Sequence, residues 1–487
     1  MRALEWFLAA LVLAGALPPV IGCYQFALAG MHRFRRHRRA IDPGLRPRVA
    51  VIVPAWNEAA VIARTIDQLA ALEYARDRLR IYVVDDASDD ATPELVRAKR
   101  TEHPGLVFHL RRESGGEGKA HTINHGLRII RADGWYDAVL VIDADVLLTP
   151  GALRRMTRHF ADPAVGAVSG YIKEGTRPGN FLNRFVAFEY VTAQAGARRA
   201  QNVLGVHACL AGGAQLLSRA TLDAIGGQID TTTLAEDTVT TFEAQIAGKR
   251  VVFEPHAVVW AEEPQDVTGL WKQRMRWARG NVQVTSRFRR VWFRRGRWGR
   301  LGGVSFGLIW FTVTLMPVLM VAASAGLIAL YLLDREVSAH VFRALWAVNL
   351  TTYLFITLSS FSLDPQTARR AWREGIAFPG LISLAIIVYA GSPRLFEDAG
   401  ASPHGALLTA FVLAVYAWLA GGMIVAFLVA RLARSGRLPW LVAPLVYVVG
   451  YGPLLCAITA AAYVQELRGA DLRWEKTEKV GRIGAVT

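Results

Sequence analysis

The stretch AVLVIDAD, residues 138–145, decides how this chain is read. Five apolar residues, Ala138 to Ile142, run straight into Asp143-Ala144-Asp145. A short apolar run of this kind that ends in polar residues reads as a buried strand of an α/β sheet. Spacing of two puts Asp143 and Asp145 on one side of an extended chain. Two carboxylates that close repel each other unless a cation lies between them. A hard divalent ion with oxygen ligands, able to bridge phosphate oxygens, suits the pair. The competing reading is a solvated loop at a strand end.

Two more stretches upstream have the same grammar: RVAVIVPAW from Arg48 and RIYVVDD from Arg80. Helical stretches lie between the strands, such as Glu58 to Leu72. Strands alternating with helices predict an α/β domain with a mainly parallel sheet and its chemistry at the strands' carboxyl ends. Those ends carry Glu58 and Asp85-Asp86, groups able to hydrogen-bond a base and a ribose. Ordinary turn chemistry, with a helix cap at Ser88 or Asp89, is the alternative. GGEGKAHTINHGL, from Gly115 to Leu127, is a glycine-rich loop feeding a helix, and Lys119 there can meet a diphosphate. It is not a Walker A loop, because the G-K-[ST] ending and its spacing are missing. TLAEDTVTTFEAQIAG opens a helix with Glu236-Asp237. These are either dipole-stabilised first-turn carboxylates or a general base for an acceptor hydroxyl.

LWKQRMRWARGNVQV, from Leu270 to Val284, places Gln273, Arg276 and Trp277 at i, i+3 and i+4, on one helix face. Arg276 can pair with phosphate oxygens and Trp277 can stack on a sugar ring. Charge attraction to a membrane surface accounts for Arg274 and Arg279 but not for the Gln and Trp.

Of the 487 residues 53% are hydrophobic, and the formal net charge is +16. The mean hydropathy is +0.26. Much of the basic charge flanks apolar runs, as the positive-inside rule expects. No nucleic-acid reader motif accompanies it, so no nucleic-acid partner is expected. Cys23, Cys209 and Cys456 have neither metal nor disulfide spacing. The apolar run from Leu4 to Met31 is too long for a signal-peptide core and long enough to span a bilayer. His32 to Arg39 is strongly basic, which predicts a cytoplasmic side there and an N-terminus outside. Further apolar segments fall near 303–333, 338–361, 376–392, 405–430 and 440–464. If all five cross, the basic tail ends outside, so one of them, either 376–392 or 440–464, is expected to be re-entrant or interfacial. The expected organisation is a transmembrane helix (1–31), a basic linker (32–47), a catalytic domain (48–284), a basic interfacial segment (285–302), four to five spans (303–465) and a basic tail (466–487).

PAWNE, VDDASDD, GKAxxxNxG, DAD, AED and QRMRW occur here in the order found in family 2 glycosyltransferases, and the chain resembles their processive, membrane-embedded branch. VFEPHAVVWAEEPQDVTGLWKQRMRWARGN looks most like bacterial poly-N-acetylglucosamine synthases. The resemblance implies a GT-A type nucleotide-sugar-binding domain between an N-terminal transmembrane helix and a C-terminal bundle. It assigns Glu58 and Asp86 to the uridine of a UDP-sugar, Lys119, Asp143, Gln273 and Arg276 to the rest of the nucleotide-sugar, and Asp145 with Asp143 to Mg²⁺ or Mn²⁺. Asp237, beside Glu236, matches the catalytic base. Trp277 and the loop at Gly212-Gly213 match the acceptor site. The implied partners are the growing polysaccharide, the lipid bilayer and a small accessory subunit. The implied place is a bacterial inner membrane with the catalytic domain cytoplasmic. The tail RWEKTEKVGR resembles the family's Trp-containing C-terminal segments near the active site. Two departures stand out: Ala235 where the family has Thr, and an acceptor loop, CLAGGAQ, unlike that of the named synthases. The rival expectations are transfer of a single sugar to a membrane lipid and a non-catalytic basic membrane protein.

Overall fold

The computed structural model describes residues 2–35, 41–391, 406–471 and 479–484. The chain divides into two compact units. One comprises residues 28–264, 283–307 and 471–487; the other comprises 1–27, 265–282 and 308–470.

The first unit is built on an eight-stranded sheet: β1 (Val49–Ala55), β2 (Leu79–Asp85), β3 (Val107–Arg111), β4 (Ala138–Ile142), β5 (Val146–Leu148), β6 (Val165–Glu174), β7 (Ala214–Ser218) and β8 (Arg250–Ala261). The spatial order is β3-β2-β1-β4-β7-β6-β8-β5. The three stretches read from sequence are β1, β2 and β4, side by side and parallel. The other half is mixed: β7 runs antiparallel to both its neighbours, and so does β5 to β8. This is a GT-A-like mixed α/β sheet.

Burial explains why β1 and β4 read as unbroken apolar runs. Every β4 side chain is buried, and Ala50 and Ile52 of β1 pack with Val139 and Val141 of β4 against Ile123 and Leu127 of the helix Lys119–Asp133. A strand covered on both faces has no polar alternation to show.

Register then places the loops that matter. Ala55 is opposite Asp85, so the β1 and β2 loops emerge together. Asn57 accepts from Asp89 N at 3.0 Å, and its amide donates to Asp89 Oδ1 at 2.6 Å. Antiparallel pairing sets Ala214 against Ile142, which brings the Gly212-Gly213 turn beside Asp143. Pairing of Val146 with Ala261 puts Glu262 and Glu263 next to Asp145.

The segment expected to lie flat on a membrane, 285–302, is not one helix. The helix Val267–Arg287 ends inside it, turns follow, and only Arg295–Trp298 is helical again. Trp292 and Phe288 turn inward onto Phe242, at 5.7 and 4.9 Å between ring centroids. Their apolar area is used in packing, and Phe293 is left exposed.

Among the described residues of the second unit, three helices are long and apolar enough to cross a membrane: Met316–Leu333, Arg335–Leu363 and Thr409–Ser435. Counting bent pairs as single spans gives up to six. The N-terminal run bends by 45°, with Pro18-Pro19 just after the break. Pro365–Ile376 with Leu381–Gly391 bends by 71°, and Pro439–Val449 with Tyr451–Leu467 by 97°. The last two contain the two candidates for the single irregular segment expected from sequence, and both are bent. Among polar and aromatic side chains of these helices, Asn349 donates to Leu345 O of its own helix at 2.8 Å. Tyr353 donates to Ile376 O at 2.6 Å, and Trp310 is buried.

Candidate active site

Asp237 lies in the first turn of the helix Glu236–Ile246, where exposed helix N–H groups favour an anion. Oδ1 accepts from Thr238 N at 2.7 Å, and Oδ2 accepts from Gly212 N at 2.7 Å. The turn carrying Gly212 is therefore bonded directly to the carboxylate. A Cβ on Gly212 would stand 3.1 Å from Lys119 Nζ and 3.2 Å from Asp237 Oδ2, so both side chains would have to give by a few tenths of an ångström.

Lys119 opens its helix at the glycine-rich loop and reaches into the same cluster. Its Nζ is 2.5 Å from Asp143 Oδ1, 3.4 Å from Glu236 Oε1 and 3.2 Å from Gly212 O. Burial acts to lower its pKa, but the charges of Asp143, Glu236 and Asp237 outweigh it, and the ammonium is held above the usual lysine range. Lys119 thus ties strand-end and helix-start carboxylates together.

Asp145, two residues further along in the turn that follows β4, has its own cation. Lys479 of the chain's tail puts Nζ 2.6 Å from Asp145 Oδ2 and also donates to Glu262 O. The tail is fastened there: Glu262 accepts from Val480 N, Gly481 N and Arg482 N at 3.0, 3.0 and 3.1 Å. Ile483 bridges to Thr176, and Arg64 grips the carbonyls of Ile483 and Gly484 at 2.6 and 2.8 Å. The Trp474 part of the tail lies outside the described residues. Asp145 thus accepts a cation in this fold, and its oxygen chemistry and the neighbouring Asp143 suit a divalent ion. An exposed trio, Asp67, Glu102 and His103, also has ligand atoms within 4.8 Å of one another, but Lys99 already pairs with both of its carboxylates.

On the β1/β2 side Asp86 is buried, paired with Arg112 and accepting from Gly116 N at 3.0 Å. Glu58 lies at the loop after β1, with its N–H on Thr92 Oγ1 at 2.8 Å. Asp85 is fully buried. Desolvation would raise its pKa, but the nearby His109 ring, the hydrogen bond from Ser88 N and the Arg111 charge hold it below the usual carboxylate range.

Of the residues named from sequence, Lys119, Asp143, Glu236, Asp237 and Gly212 form one cluster, and Gly213 continues its turn. Asp145 pairs with Lys479. Gln273, Arg276 and Trp277 lie together on the helix Val267–Arg287, with Arg274 4.1 Å above the Trp277 ring and donating to Gln273. Arg274 and Arg279 correct the reading that membrane charge explains them, because both are buried. Arg279 pairs with Glu466 at 2.5 Å and donates to Ala470 O at 2.7 Å. The sequence reading assigned no role to Lys479, Glu262, Cys209 or Arg112; the first three stand in quoted stretches (RWEKTEKVGR, VFEPHAVVWAEEP and CLAGGAQ) but at positions to which no motif gives a function.

The mixed sheet thus brings polar strand ends beside a carboxylate-bearing helix start. Residues 47–280 match the family described as "Glycosyltransferase like family 2". A probable glycosyltransferase of Bacillus subtilis (strain 168) is 31% identical over 253 residues, 52% of this chain and 59% of that protein. A poly-β-1,6-N-acetyl-D-glucosamine synthase of Staphylococcus aureus (strain COL) is 29% identical over 240 residues, 49% of this chain and 56% of that protein. The chain thus spans little more than half the length of these curated relatives. A mannosyltransferase of Pyrobaculum calidifontis, solved with GDP-Man and Mn²⁺, superposes with a TM-score of 0.51 at 24% identity, over 79% of this chain and 99% of that one. This likeness concerns the fold.

Proposed function

We propose that the protein is a membrane-embedded, inverting, processive glycosyltransferase. It polymerises a UDP-activated sugar, UDP-N-acetylglucosamine first among donors, into a β-linked polysaccharide and passes it through its own membrane segments. The observation that carries this reading is the Asp237 carboxylate, oriented by Gly212 N and Thr238 N beside the Lys119–Asp143 pair.

In this reading Asp237 takes the proton from the acceptor hydroxyl. The hydroxyl oxygen bonds to the anomeric carbon while the bond to the diphosphate breaks on the opposite face, which inverts the configuration. Asp145 and Asp143 would hold Mg²⁺ or Mn²⁺, which would offset the charge of the leaving diphosphate. Lys119 adds positive charge close to Asp143 and keeps both acidic elements in register. Glu58 and Asp86 take the uridine. The motif of Gln273, Arg276 and Trp277 assigns them to the diphosphate and the acceptor sugar. The synthase relative and the six ordered motifs support polymerisation, and the apolar helices support a bacterial inner-membrane location with the catalytic domain cytoplasmic. Long polar chains do not enter lipid unaided, which gives the adjoining helices a purpose.

The test is UDP release by the full chain in lipid nanodiscs with Mg²⁺ or Mn²⁺. UDP-N-acetylglucosamine, UDP-glucose, UDP-glucuronate and UDP-galactose are offered singly and in pairs, and the product is sized. The expected outcome is release with one donor and a long glycan. A short lipid-linked product would instead favour the single-sugar rival, and a required donor pair would mean an alternating polymer.

A further inference from the structure

Cys209 lies in the turn between the helix Ala197–Leu204 and β7, and its thiol points at the proposed base. Sγ is 3.2 Å from Asp237 Oδ2, the oxygen that also accepts from Gly212 N. Ala211 N in turn donates to Sγ at 3.2 Å. The thiol is therefore a bridge, with its S–H on the carboxylate and its lone pair on the turn.

The turn needs such a bridge. Ala211 has φ +60°, a left-handed conformation that costs a residue with a Cβ about 1–2 kcal/mol. Neighbours hold it: Leu210 N donates to Thr241 Oγ1 at 2.8 Å, Leu210 O accepts from Ser169 Oγ at 2.5 Å, and Cys209 O accepts from Arg198. Thr241 lies one helical turn after Asp237, so the turn and the helix start are clamped at two points. Burial, followed by the Asp237 charge, pushes the Cys209 thiol up to about 12. It stays protonated, hence a donor, throughout the neutral range.

We propose that Cys209 is a positioning residue for the transfer reaction: its S–H, with the Gly212 amide, fixes Oδ2 of Asp237 and so presents Oδ1 for proton abstraction. The inference rests on the reading of Asp237 as base. The sequence places Cys209 at the start of CLAGGAQ, the loop matched to the acceptor site, but carries no sign of its contact with Asp237.

Two measurements test it. Without the donor the carboxylate becomes a stronger base and a looser one. Cys209→Ala is therefore expected to lower kcat about three- to tenfold with donor KM changed less than twofold, and to move the acid limb of the pH–kcat profile upward. Cys209→Ser, which restores an O–H donor, is expected to recover most of both effects. A change in folded yield or KM with an unmoved acid limb would mean that the side chain only packs, and would overturn the proposal. The second measurement needs no turnover: the rate of iodoacetamide labelling at Cys209, with Cys209→Ala giving the background from Cys23 and Cys456. Asp237→Asn removes the charge that opposes the thiolate, so labelling is expected to rise severalfold. An unchanged labelling rate overturns the contact, whatever the protein does with sugar nucleotides. Raised labelling in a chain that turns over no donor keeps the contact and retires the base reading, and the positioning role with it.

Discussion

Two carboxylates define the site, and they are held in opposite ways. Asp237 is fixed by its own helix start and by an adjacent turn, through Thr238 N, Gly212 N and the Cys209 thiol. Asp145 is held by Lys479, which lies more than 300 residues away along the chain and belongs to its tail. The first arrangement is internal to the fold and preorganised, as a group that must meet a proton in one geometry requires. The second is a single ion pair to a residue remote in sequence, and a divalent ion at Asp145 would have to displace that ammonium. The difference suggests a division of labour: the base is permanent, while the cation partner of Asp145 can be exchanged.

The comparison is broken most directly by Asp237→Asn. UDP release is expected to fall about a thousandfold, the scale of a lost general base, with the thermal midpoint nearly unchanged. A variant retaining more than a tenth of the wild-type rate would take Asp237 out of the chemistry. Asp145→Asn comes next. Mn²⁺ affinity, read by electron paramagnetic resonance, is expected to weaken at least tenfold, because a charged ligand becomes neutral. Unaltered Mn²⁺ binding would move the metal elsewhere. Gly212→Ala sharpens the base side: its Cβ meets Lys119 Nζ at 3.1 Å and Asp237 Oδ2 at 3.2 Å, so kcat is expected to drop about tenfold. Donor KM should barely move, and a rise in KM with kcat intact would assign the turn to substrate binding instead. The smallest effect is expected from Lys479→Met. Without the competing ammonium, Mn²⁺ should bind Asp145 about two- to fivefold more tightly. If it binds no better, the tail does not compete and the proposed exchange is wrong.

How much of this was legible beforehand differs between the same two regions. β1, β2 and β4 were readable because strands buried on both faces leave apolar runs that end abruptly in Asn, Asp or Glu. Asp143, Asp145, Glu236 and Asp237 were readable because each sits at such an end or at a helix start. β6, β7 and β8 gave no comparable signal, and the antiparallel half of the sheet appears only when their pairing is known. Lys119 was found, but its proximity to Asp143 and Glu236 could not be, since those contacts span 24 and 117 residues. The membrane helices were readable as apolar lengths, whereas the 71° and 97° bends follow from how Pro and Gly are accommodated.

The sequence alone determined which residue types occur at strand ends and helix starts, the family signature they compose, and the apolar lengths that can cross a bilayer. These are local properties, set by periodicity and burial over a few neighbouring residues. Only the tertiary structure decided that Gly212 and Cys209 hold Asp237, that Lys119 joins Asp143 to Glu236, and that Lys479 meets Asp145. Those pairings depend on strand register and chain reversal. One hydrogen bond or ion pair between distant residues leaves no periodic trace in the sequence that encodes it.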